Sequence, residues 1–152
     1  MSIRTSHALL LLAAVGIAQL AQRERHQRQH AHIALTGLHV DWLGVLVGRP
    51  ELAEEWAPEG ADVEQWVRHV HLNRQLCGLA LRHRLGLVRS AGLRFVADSI
   101  MEREVGRSYW KTYGNFRQKE ATGDPAAMTF NAIIQDAYVA RLARLATEPA
   151  GY

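Results

Sequence analysis

Apolar residues recur three and four positions apart along nearly the whole chain, and short alternating runs rich in Val, Ile and Thr are missing. This pattern predicts an all-α fold, a single helical domain of five to seven helices with a long N-terminal helix. The first helix is expected from Ser6, a usable N-cap, to about Val47, with Gly37 as the place for a break. Pro50 suits the first turn of a short helix ending at Trp56. After the AlaProGluGlyAla turn at 57–61, Asp62 should cap a helix over Val63–Leu85, with Val63, Trp66, Val70 and Cys77 as its buried stripe and Leu76 and Leu79 widening it. Gly86 is placed to end that helix, and Ser90 to cap the next, which should run to about Glu104. Gly106 reads as a further break, followed by a helix over Ser108–Glu120. The ThrGlyAspPro turn at 122–125 then introduces a last helix, about Ala126–Ala146, burying Phe130, Ile133, Ile134, Tyr138, Leu142 and Leu145.

One stretch is apolar all round. Ala8–Ala21 lies between Arg4 and the Arg23, Arg25 and Arg28 group. As a helix it measures about 21 Å, short of the roughly 30 Å hydrocarbon core. A packing face ranks first for it, a membrane anchor second and a cleaved signal third, because no small-x-small cleavage site follows Leu20. Were residues 8–21 to enter a membrane, the arginines after them would hold the remainder on the cytoplasmic side. The cytoplasm is therefore the expected location, with a membrane-anchored helical domain as the alternative, and the chain divides into an apolar segment, 1–22, and a helical domain, 23–152.

At 152 residues with 48% hydrophobic content, the chain can bury a core without metals or disulfides. Its single cysteine, Cys77, excludes an internal disulfide and a Cys-rich zinc site. A net charge of +3 disfavours a dedicated nucleic-acid binder. Distribution says more than the total. Between Glu51 and Trp66 there are six acids and no Lys or Arg, whereas Arg68–Ala97 holds six arginines and no acid. Such blocks either neutralise each other within the fold or present two faces to a partner.

Catalytic signatures are missing: no GlyXaaSerXaaGly, no glycine-rich phosphate loop and no HisGluXaaXaaHis. His26 and His30 share a helix face and are the one pair at metal-binding spacing, but Arg25 and Arg28 beside them would repel a cation. No cofactor is expected. The densest run of unusual residues is 106–116, where Arg107, Tyr109, Trp110 and Tyr113 could form a recognition surface, against the plainer reading that the aromatics are core.

In order, a Gln/Arg/His-rich stretch, Pro50, Leu52 and Ala53, an internal Asn73, Gly106-Arg107-Xaa-Tyr109-Trp110, and Phe130 with Ile133 follow an apolar N-terminal segment. From about Gln22 to Arg144 this order resembles an uncharacterised family of small helical actinobacterial proteins. The resemblance implies an all-α fold and no particular reaction. Two functional expectations stand. The first is a non-catalytic interaction or regulatory protein that binds a protein partner or itself. The second is a small helical enzyme or ligand-binding protein of a biosynthetic pathway, whose pocket between helices gathers Asn73, His69, Arg107, Tyr109 and Tyr113.

Overall fold

The computed structural model describes the backbone of residues 3–147 and the side chains of residues 13–147. It contains six helices: α1 (Ile3–Gly48), α2 (Pro50–Trp56), α3 (Val63–Arg84), α4 (Ser90–Glu102), α5 (Glu104–Glu120) and α6 (Pro125–Thr147). Among the described residues there is no strand. The chain forms two units that divide inside α1, after Leu38.

In the first unit Val15, Ile17 and Leu20 of α1 are all more than half exposed. Of the apolar segment Ala8–Ala21, the side chains of residues 8–12 lie outside the described residues, as does that of Ser6. The stretch Ala13–Gly48 is long and apolar enough to cross a membrane, by length and composition only. Gly37 does not interrupt the helix: helical backbone continues through it to Gly48. A lone glycine costs a helix interior only about 1 kcal/mol, which its neighbours in a long helix can absorb.

The second unit begins at His39 and holds the core. Leu72 and Leu76 of α3, Leu93, Ala97 and Met101 of α4, and Phe130 and Ile134 of α6 close it, with Tyr109 and Trp110 from α5. Leu76 is 1% exposed, so truncating it would cost about 2–5 kcal/mol. The buried stripe of α3 is thus Val70, Leu72 and Leu76, whereas the expected Val63, Trp66 and Cys77 are only partly buried. A smaller cluster joins Leu43 and Leu46 of α1 to Val70.

The helix ends follow local chemistry. Asp62 accepts from the backbone N–H groups of Glu64 and Gln65 and caps α3. Gly86 leaves α3 with φ +74°, and Gly123 enters the turn before α6 with φ +86°, both in the left-handed region that glycine tolerates. Two boundaries depart from expectation. Ser90 is already helical, and the residue before it, Arg89, makes no side-chain cap. More consequentially, the α4–α5 break falls at Arg103, and Gly106 sits in the first turn of α5. On α6, Leu142 and Leu145 prove exposed rather than core.

Gly106 is there for approach, not for flexibility. A Cβ on it would lie 2.1 Å from the carbonyl oxygen of Ile100, so only glycine lets the start of α5 fold back on the end of α4. Arg107 completes the corner: its Nη1 donates to the carbonyl oxygens of Met101 (2.8 Å) and Glu102 (2.7 Å), which the end of α4 leaves without helical partners. The Gly-Arg-Xaa-Tyr-Trp run therefore makes a helix corner before anything else.

Candidate functional site

Two four-residue ladders face each other in the second unit. On α3, His69, Asn73 and Cys77 are four apart and share a face; on α5, Tyr109, Tyr113 and Arg117 do the same. Adjoining stripes of the same helices bury Leu72, Leu76 and Trp110 in the core, which Tyr109 also joins. Together with Leu43 and Leu46 from α1, the two ladders line a half-open cavity of about 440 Å³, within the range of small-molecule sites.

The floor is polar. Asn73 Oδ1 accepts from the Tyr109 hydroxyl and from Arg117 Nη1, both at 2.7 Å, and the Cys77 thiol lies 3.9 Å away. Arg117 Nη1 also donates to the Tyr109 oxygen at 3.1 Å. The walls are aromatic and aliphatic. Trp66 and Phe116 flank the cavity, and the His69 ring meets Tyr109 and Tyr113 edge-on at 5.8 and 5.7 Å.

Burial sets the protonation states. It pushes the Cys77 thiol up, only partly offset by Arg117, so the sulfur is a thiol at neutral pH. The Tyr109 phenol is raised for the same reason. Burial lowers the His69 imidazole, which is neutral at pH 7. For Arg117, burial opposes the charge, but the hydrogen-bonded Tyr109 and Cys77 groups more than offset it and the guanidinium stays charged. That charge has only neutral acceptors: no carboxylate forms an ion pair with it among the described residues, and its Nε is buried without a partner.

His69 Nε2 lies 3.1 Å from Ser108 Oγ, which also accepts from Gln65 Nε2. A serine beside an imidazole invites a nucleophile reading. Among the described residues, however, no carboxylate bonds to the His69 ring to orient it, as the triad logic requires.

Of the residues singled out from sequence, Asn73, Tyr109, Tyr113 and His69 meet in this cavity. Arg107 does not reach it, being engaged on the end of α4. Trp110 is 2% exposed, donates from Nε1 to Gln135 Oε1 at 2.7 Å and lies against Gly114, so its indole cannot serve as a surface anchor. Arg117 is a cavity residue not among those expected from the sequence, although the Tyr109–Tyr113–Arg117 spacing places it on the same face. His26 and His30 are both exposed, and among the described residues no group of three metal-capable side chains forms.

The sequence matches a family of unknown function (DUF6082) over residues 2–151. No curated protein and no solved structure matches it. With nearly its whole length covered, the chain belongs to that family.

Proposed function

We propose that this member of a family of unknown function is a non-catalytic binding protein, and that its site is the cavity between α3, α5 and the end of α1. The occupant is a small amphipathic molecule with an anionic end. One observation carries the reading: the Arg117 charge sits at the floor of a cavity whose walls are mostly apolar and aromatic, and its hydrogen-bond partners are all neutral. Glu120, which also lines the cavity, forms no ion pair with it among the described residues. A buried charge without a counter-charge is costly, and an entering carboxylate would supply one through a charge-assisted hydrogen bond. Leu43, Leu46, Trp66 and Phe116 then cover the apolar body. The expectation of an aromatic partner-binding patch at 107–116 has less support, since Tyr109 and Trp110 are buried. The same site would serve a soluble protein or one tethered through residues 8–21.

Cys77 lines the cavity and is the chain's single cysteine, so its alkylation reports on occupancy. Dodecanoate should slow iodoacetamide labelling of Cys77 saturably, and dodecanol should do so far less well. Phe116→Glu, at an exposed position on the cavity wall, should abolish the protection without unfolding the protein. Equal protection by acid and alcohol would remove the role given to Arg117. Labelling indifferent to both probes would overturn the site.

A further inference from the structure

A second, larger groove of about 940 Å³ lies within the same unit, between α3, α4 and the end of α1. Its floor is apolar, formed by Val40 and Val47 of α1 with Val96 and Ile100 of α4. Four arginines line it, Arg68, Arg74, Arg82 and Arg103, and no acid does. Arg68 is held by Glu64 on its own helix. The other three form no ion pair among the described residues. Arg74 lies against Gly44, where an added Cβ would be 3.3 Å from its Cζ, and its Nε is buried without a partner. Three unpaired guanidinium groups around an apolar trough fit an acidic surface that carries a large apolar side chain.

The chain itself has such a surface. Glu51, Glu54 and Glu55 of α2 and Glu59 after it are exposed and form no ion pair among the described residues. Beside them Trp56 is 56% exposed, its ring edge-on to Trp42 at 5.5 Å. Apart from the Arg68–Glu64 pair, the acidic and basic blocks of the sequence form no ion pairs with each other among the described residues.

We propose that the arginine-lined groove receives the acidic α2 of a second copy of this chain, with Trp56 on the apolar floor and the glutamates toward Arg74, Arg82 and Arg103. A second copy is favoured over an unrelated acidic protein because one chain supplies both halves of the complementarity. Made reciprocally, the contact closes a two-fold dimer. The inference is independent of the ligand assigned to the Asn73–Arg117 cavity.

Sedimentation velocity on the full chain in a mild non-ionic detergent tests it. A concentration-dependent dimer is expected at about 50 mM NaCl and should dissociate toward monomer at about 500 mM, where the screening length is several ångströms shorter. Arg82→Glu and Glu55→Arg reverse charges at exposed positions, so both variants should keep wild-type helicity. Each should weaken association about tenfold or more through like-charge contact, and an equimolar mixture of the two should recover it. A monomer at low salt would overturn the proposal. So would a dimer indifferent to salt and to both reversals, which would assign association to another surface. Native mass spectrometry showing a small anion retained on a monomer, lost in Arg82→Glu, would give the groove to that anion instead.

Discussion

Gly106 presents its Cα to the carbonyl oxygen of Ile100 so closely that a Cβ would stand 2.1 Å from it. Backbone cannot retreat as a flexible side chain can, so α5 would have to shift off the end of α4. Gly106→Ala should therefore destabilise the protein by about 3 kcal/mol, at the upper end for overpacking. For a chain of this size that lowers the melting temperature by roughly 6–12 °C. Thermal unfolding followed by circular dichroism measures it, and a melting temperature matching wild type would mean the corner is not as tight as described.

Arg107 serves the same corner from the other side, through its two bonds to the Met101 and Glu102 carbonyls. Hydrogen bonds from charged donors contribute about 1.5–3 kcal/mol. Arg107→Leu should cost stability in that range while leaving dodecanoate protection of Cys77 intact, because the guanidinium does not line the cavity. Lysine should recover only part of the loss, since an ammonium cannot reproduce the fork of a guanidinium. Lost protection in a folded Arg107→Leu protein would move this residue from the corner to the site.

These two residues show what sequence reasoning reaches here. Turn chemistry was readable where it is local: Pro50, Asp62, Gly86 and the Thr-Gly-Asp-Pro turn all mark the boundaries they were expected to mark. Gly106 reads as a break in the sequence because a glycine that ends a helix and one that admits a neighbouring backbone look alike in one dimension. Arg107 and Trp110 attracted functional readings because both residue types are common at interfaces, and only the tertiary structure shows one capping α4 and the other in the core. The cavity was half legible. Its Asn73, Tyr109 and Tyr113 stood out by type, whereas Arg117 needed α3 and α5 to be placed face to face before its lack of a counter-charge meant anything.

His69 offers a pH signature. Burial holds its folded pKa below the unfolded value of about 6.5, so the unfolded chain takes up a proton before the folded one does. Its contribution to stability is complete above that unfolded value and is lost as pH falls through the folded value. His69→Gln keeps a hydrogen-bonding group near Ser108 and removes the titration. Urea midpoints measured between about pH 7.5 and 5 should fall more steeply for wild type than for this variant. Parallel slopes would show that His69 titrates normally in the folded protein.

Asp124 ties two elements together: it caps α6, accepting from the backbone N–H groups of Ala126 and Ala127 at 3.2 Å, and pairs with Arg84 at the end of α3. Burial works against its charge, but the Arg84 bond and the two backbone donors outweigh it and hold the carboxyl below the usual aspartate value. A depressed folded pKa means the stabilisation is present above the unfolded pKa and is lost as pH falls through the folded one. Asp124→Ala removes cap and pair together and should cost about 1–2 kcal/mol, mostly from the cap, because the pair is partly exposed to solvent. Asp124→Asn retains a capping oxygen and should lose much less. The gap between wild type and Asp124→Asn should also close as pH falls below the usual aspartate value and through the depressed folded one, where the wild-type carboxyl loses its charge. Chemical denaturation of the three proteins at neutral and acid pH separates the two roles. If asparagine proved as costly as alanine at neutral pH, the ion pair to Arg84 and not the cap would be what holds α6 to α3.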